Sequence, residues 1–129
     1  METIKVAIVD DHKLVSKALE NMISLNPNFQ VTMNCFNGQD FIDELQKTKT
    51  HPDVVLMDIN MPIKNGIETT AEVSRKFPNL KVIALTMEDN EGTIIKMMKA
   101  GAKGYLLKDM SPDILFNAIN IVHEKGIFY

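Results

Sequence analysis

The chain has little of what would tie it to a secreted, membrane or nucleic-acid setting. Its 129 residues include one cysteine, Cys35, and no tryptophan. A single thiol cannot close an internal disulfide. Cys35 follows the apolar-alternating stretch Gln30 to Asn34 and reads as a small buried filler, not a reactive thiol. No run approaches the roughly 20 apolar residues of a membrane span, and the opening METIKVAIVDD meets an acidic pair too early for a signal peptide. Neither charge sign dominates: 14 Lys and Arg against 17 Asp and Glu leave a formal net charge of -3, which excludes a broad DNA-gripping surface. Repeats and low-complexity segments are missing too, and 45% hydrophobic with 24% charged residues is not the composition of a disordered chain. The expectation is one domain over residues 1–129, burying roughly two-thirds of its unfolded surface, in a reducing, cytoplasmic setting. Nine methionines, scattered from Met1 to Met110, are expected to serve as adaptable core packing.

Hydrophobic periodicity alternates between two regimes. Ile4 to Val9 is a nearly continuous apolar run, the pattern of a strand covered on both faces. Leu14, Val15, Ala18, Leu19, Met22 and Ile23 then recur at helical spacing until Asn26-Pro27. Gln30 to Phe36 reads as a second strand, followed by a helix capped by Asn37 and carrying Phe41, Ile42 and Leu45. Val54 to Asp58 is a third strand, followed by the turn-rich INMPIKNG and a helix from Ile67 to Phe77 that Pro78 ends. Lys81 to Thr86, a helix from Asn90 to Ala100, Gly104 to Lys108, and a last helix capped by Ser111 with Pro112 at its first position complete the pattern. Five βα units with right-handed crossovers predict a flavodoxin-like, doubly wound parallel sheet in the order 2-1-3-4-5, with five helices on both faces.

That topology gathers scattered residues. Asp10-Asp11, Asp58, Thr86 and Lys108 each stand where an apolar run ends, so all fall on the C-terminal edge of the sheet, where open α/β sheets bind ligands. Three carboxylates held together repel one another unless a cation neutralises them. Hard oxygen ligands with room for water suit Mg²⁺, with Mn²⁺ as a substitute, and transition-metal chemistry is disfavoured because neither cysteine nor a histidine pair is available nearby. Lys108 and Thr86 could hold phosphate oxygens, leaving Asp58 as the nucleophile of a phosphoryl transfer whose product is a hydrolysable acyl phosphate.

With IVDDH, VVLMDINMPIKNG, ALTM and GYLLKD in this order and spacing, the chain resembles the receiver domain of bacterial two-component response regulators over essentially all its length. The resemblance implies that Asp58 accepts a phosphoryl group from a sensor histidine kinase. It implies that Asp11, Asp58 and the backbone carbonyl of Asn60 bind Mg²⁺, with Asp10 acting through water. Thr86 and Lys108 would contact phosphoryl oxygens, and Pro62 and Gly66 would shape the loop beyond Asp58. Tyr105 would be the switching aromatic, turning inward to reshape the surface of the fourth helix, fifth strand and fifth helix and so to control dimerisation and transcription. DDHKLV, GYLLKD and the closing VHEKGIFY look most like the LuxR/NarL-type subfamily, in which DNA binding belongs to a C-terminal helix-turn-helix domain beyond this chain. Such a domain is a signalling phosphoacceptor and not an enzyme, assisting only its own phosphorylation and dephosphorylation. In the family a proline, often after a cis bond, follows the lysine; Asp109 stands there here, which leaves the Lys108-Asp109 geometry open. Asn60 and Glu88, two beyond Asp58 and Thr86, resemble a fast-decaying pair and point to a short-lived mark.

Rival readings fare worse on the same residues. A haloacid-dehalogenase-type phosphohydrolase needs a second aspartate where Asn60 stands. Nucleotide-binding glycine motifs do not follow the first strand. A pseudo-receiver that works without phosphorylation is at odds with the intact acidic pair, Asp58, Thr86 and Lys108. His12, beside the acidic pair, could look like a phosphodonor or a metal ligand, but the preferred reading is an exposed side chain in the first turn of a helix. His51 and His123, in polar surroundings without partners at ligand spacing, receive no role. Around the fourth helix Ile94, Ile95, Met97 and Met98 are too apolar to be all core, and one or two would form a partner patch.

Overall fold

A computed structural model describes residues 3–87 and 91–128. Strands and helices alternate along the chain: β1 (Ile4–Val9), α1 (Lys13–Ser24), β2 (Phe29–Cys35), α2 (Gly38–Lys47), β3 (Val54–Asp58), α3 (Gly66–Lys76), β4 (Lys81–Thr86), α4 (Glu91–Ala100), β5 (Gly104–Leu107) and α5 (Pro112–Lys125). The strands form one sheet in the order β2-β1-β3-β4-β5, every neighbouring pair parallel. This is the expected doubly wound α/β fold.

Alternation along the buried strands sends side chains into two cores. Val6, Ile8, Leu56, Ile83 and Leu85 face a layer closed by Leu19 and Ile23 of α1 and Leu115, Ile119 and Val122 of α5. Ala7, Val9, Val55, Met57 and Val82 face Phe41, Ile42, Leu45, Val73 and Met97 of α2, α3 and α4. Each Val, Leu, Ile, Phe or Met side chain among them contributes about 1.5–3 kcal/mol on burial, which is why the central strands read as continuous apolar runs. Met33, Met57 and Met97 are buried, and Met22, Met61, Met98 and Met110 pack against the cores, as expected of adaptable fillers. Met87 is exposed.

Element ends follow local chemistry. The Asn37 side chain accepts from Asp40 N, as a cap should, and Asn65 forms a capping box with Glu68 at the start of α3. Gly126 ends α5 in the left-handed region, with φ 83°. Several boundaries differ from expectation. β2 is Phe29–Cys35, α3 begins at Gly66, and β5 ends at Leu107, one residue before Lys108. Ser111 is the N-cap residue of α5 but its side chain makes no capping hydrogen bond; Pro112 at the first turn supplies the fixed φ instead. Asn90, the expected start of the fourth helix, lies outside the described residues.

The reading of α1 needs a correction. Leu14 and Ala18 are exposed, and the polar Ser16 is buried in their stead, donating to Asn34 Oδ1 at 2.6 Å. Packing is centred on Ser16, Leu19 and Ile23, so an apolar count at helical spacing picked a stripe wider than the sheet covers. On α4, Ile94 and Met97 are core, Met98 is half-buried and Ile95 is exposed, which matches the expectation of one or two outward residues. Among the described residues no helix is long and apolar enough to cross a membrane.

Candidate functional site

Strand register assembles the site. Val9 pairs with Met57, so the next residues, Asp10 and Asp58, leave adjacent strands side by side. Asp58 pairs with Leu85, one residue before Thr86, and Thr86 pairs with Leu107, one residue before Lys108. Parallel pairing thus brings positions 10, 58, 86 and 108 to one edge of the sheet. Lys108 N donates to Thr86 O at 2.9 Å, extending the pairing past the end of β5. No cis peptide occurs among the described residues, so the Lys108-Asp109 bond is trans.

At that edge, Asp10 and Asp58 are buried, and Lys108 Nζ reaches between them, 2.9 Å from Asp10 Oδ2 and 3.0 Å from Asp58 Oδ1. Asp58 Oδ1 also accepts from Ile59 N at 2.9 Å. Its second oxygen, Oδ2, is buried with no hydrogen-bond donor among the described residues. Burial pushes the Asp58 carboxyl up to about 6; the hydrogen bond from Lys108 pulls the other way, and Asp10 adds to the rise. Near neutrality Asp58 is therefore mostly ionised but carries the cost of a poorly solvated charge. Thr86 is buried at the end of β4, and with Asp58, Asn60, Thr93, Lys108 and His12 it lines a cavity of about 200 Å³. A pocket of that size admits a small anion and few waters.

The loop leaving Asp58 is held closely. Gly66 N donates to Ile59 O at 2.7 Å, and a Cβ at Gly66 would stand 2.0 Å from the carbonyl oxygen of Asp58. Only glycine permits that approach. Beside it, Lys64 N bonds back to Pro62 O at 2.7 Å, with Ile63 at φ 70°, a strained conformation for a β-branched residue. Lys64 is ion-paired to Glu72 of α3, which also pairs with Lys76. Together Lys64, first, and Lys76 hold the Glu72 carboxyl well below the usual range.

His12 is exposed, as expected, but its position and contacts differ from expectation. It is the N-cap residue of α1 and not part of its first turn, and its ring turns back over the acidic edge. Nδ1 lies 3.1 Å from Asp10 Oδ1, 3.5 Å from Asp11 Oδ1, 3.8 Å from Asp58 Oδ2 and 3.2 Å from Lys108 Nζ. The signal was its place directly after the acidic pair: His12 N donates to Asp10 Oδ1 at 2.9 Å, and that turn brings the ring inward. Asp10, Asp11, His12 and Asp58 offer ligand atoms all within 4.8 Å of one another. A buried carboxylate oxygen without a donor, beside two further carboxylates, fits a hard divalent cation.

Other candidates lie elsewhere. Tyr105, in register with Ala84, is half-buried against the α4-side core. It borders a second, mostly apolar cavity of about 380 Å³ with Leu107, Met110, Ile114 and Phe128. Cys35 is half-buried, not fully buried, and burial, then Glu44 and Asp40, push its thiol up to about 11, which leaves it unreactive. His51 is not in purely polar surroundings: its ring meets Phe77 edge to face, with centroids 5.2 Å apart, and Nε2 contacts Leu45 O. The His123 carbonyl accepts from Lys81 Nζ. Glu88 lies outside the described residues.

A five-stranded doubly wound sheet with an acidic cluster, a hydroxyl and a buried lysine at its carboxyl edge defines a receiver-type signalling module. The comparisons agree, for the sequence model of the response regulator receiver domain matches residues 6–120. The chain belongs to that family. It is 36% identical over 125 residues to the transcriptional regulatory protein DegU of Brevibacillus brevis, covering 97% of this chain and 52% of the relative. It is 31% identical to the nitrate/nitrite response regulator NarL of Escherichia coli K12, covering 92% of this chain and 54% of NarL. A crystal structure of a LuxR-family DNA-binding response regulator from Staphylococcus aureus superposes with a TM-score of 0.85 at 30% identity, covering 94% of this chain and 99% of the other. The chain is thus a receiver domain of LuxR/NarL type. It spans about half the length of these curated relatives.

Proposed function

We propose that this domain receives a phosphoryl group on Asp58 from a sensor histidine kinase in a Mg²⁺-dependent reaction. One observation carries the reading: Asp58, which lines a small cavity at the sheet edge, has a buried carboxylate oxygen, Oδ2, with no donor among the described residues, while Lys108 holds the other oxygen. Asp58 oxygen would attack the phosphorus of a phosphohistidine, an O–P bond forming as the P–N bond breaks, and the departing imidazole takes the electron pair and then a proton. Lys108 exchanges its carboxylate contact for a phosphoryl oxygen, and the Thr86 hydroxyl donates to another. Asp11, Asp58 and the Asn60 carbonyl would hold Mg²⁺, with Asp10 acting through water. When bound, the ion offsets the negative charge shared by nucleophile and phosphoryl group. The domain turns over no external substrate beyond its own phosphorylation and dephosphorylation.

Phosphorylation adds roughly one and a half to two negative charges. Thr86 then moves toward the phosphoryl group and Tyr105 turns inward, selecting a second packing of α4, β5 and α5. Exposed Ile95, Leu107 and Ile114 on those elements support a partner surface there, used in homodimerisation. In a cytoplasmic full-length regulator, a C-terminal helix-turn-helix domain would carry DNA binding and transcriptional output. The polar Asn60 at the cavity supports a short-lived mark.

Intact-protein mass spectrometry after incubation with acetyl phosphate tests the reading. The expected result is a single Mg²⁺-dependent phosphoryl adduct, absent in Asp58→Asn. No adduct in any condition, together with no beryllofluoride binding, would point to an interaction domain that works without phosphorylation.

A further inference from the structure

We propose that His12 is a nitrogen ligand of the divalent cation at this site, making it a mixed imidazole and carboxylate centre that favours transition-metal ions over Mg²⁺ more than an all-oxygen site does. The inference rests on the cation-dependent reading above and adds to it a residue and a selectivity.

Distances come first. Ligands of one octahedral ion at about 2.1 Å from the metal stand about 3 Å apart when adjacent and about 4.2 Å apart when opposite. His12 Nδ1 lies 3.5 and 3.8 Å from oxygens of Asp11 and Asp58, between those two separations, so small side-chain rotations would bring all three onto one ion, and 3.1 Å from Asp10 Oδ1, which the ion would reach through water. Side-chain chemistry agrees. Nδ1 stands 3.2 Å from Lys108 Nζ, which only donates, and 3.1 Å from Asp10 Oδ1, which only accepts, so its tautomer can satisfy one of these contacts and not both. With the proton on Nε2, the Nδ1 lone pair is available to a cation beside Asp10 and Asp58, whose carboxylates already hold the Lys108 ammonium. The buried Asp58 Oδ2, with no donor among the described residues, lies 3.8 Å from the same nitrogen. Carboxylates suit Mg²⁺ and Mn²⁺, whereas imidazole raises affinity toward Ni²⁺ and its neighbours.

The test uses untagged protein loaded with MnCl₂ and pulsed electron paramagnetic resonance. Nitrogen coupling to Mn²⁺ is expected, altered when histidine is labelled with the heavy nitrogen isotope and lost in His12→Ala. Calorimetric titration with NiCl₂ and MgCl₂ should show the Ni²⁺ dissociation constant of His12→Ala rising about tenfold or more, with Mg²⁺ affinity changed far less. His12 makes no side-chain capping bond, so the variant keeps its helix; the labelled wild type gives the answer without any substitution. Bound Mn²⁺ without nitrogen coupling, or equal weakening of Ni²⁺ and Mg²⁺, overturns the role of His12 alone. Failure of wild-type protein to bind Mn²⁺ or Mg²⁺ in a manner sensitive to Asp58→Asn overturns the cation reading and this proposal with it.

Discussion

Asp58 carries a stability cost that sets a pH dependence. Its carboxyl sits at about 6 in the fold, raised first by burial, against 3.8 for the free group. The native state therefore holds a proton that the unfolded chain has released, and stability falls as pH rises from about 4 through about 6. Asp58→Asn cannot titrate. Chemical denaturation in EDTA should show the variant gaining on wild type across that window, by on the order of 1–3 kcal/mol above pH 7, with little difference near pH 4. An advantage that is flat with pH would mean that packing, not charge, separates them. His12 shows where reading single residues falls short: adjacency to Asp10 and Asp11 is visible in the sequence, but the turn that swings the ring inward depends on Asp10 Oδ1 accepting from His12 N.

The segments themselves were largely legible, because each strand buried on both faces must be apolar throughout while each helix has only one covered side. Val54 to Asp58 shows it well, every residue being buried. Less legible was how wide the covered side is: Leu14 and Leu25 of the α1 region are exposed while Ser16 is core, since Ser16 satisfies its hydroxyl on Asn34 of the neighbouring strand. The loop from β3 to α3 contains the most demanding local geometry. Gly66→Ala would push a methyl group into the Asp58 carbonyl, a backbone atom that cannot rotate away. Urea unfolding should register a loss of about 1–3 kcal/mol, and the displaced loop should also slow phosphorylation. A variant as stable as wild type would show that this loop yields more readily than its bonds suggest.

The acidic edge is drawn from four separate βα units, so binding there should be felt by the entire domain. A divalent ion at ten times its dissociation constant adds about 1.4 kcal/mol to the folded state, roughly 4–7 °C in melting temperature for a chain of this length. Thermal scans with and without MgCl₂ should show that rise as one cooperative transition, reduced in Asp11→Asn. A rise that survives both Asp11→Asn and Asp58→Asn would place the ion elsewhere. The same order, β2-β1-β3-β4-β5, has a consequence during synthesis. Asp10 and Asp58 leave the ribosome long before Lys108, which closes the site from the last strand. A chain made only as far as β4 therefore displays carboxylates without their lysine, and the charges at this edge are balanced only once residue 108 has emerged.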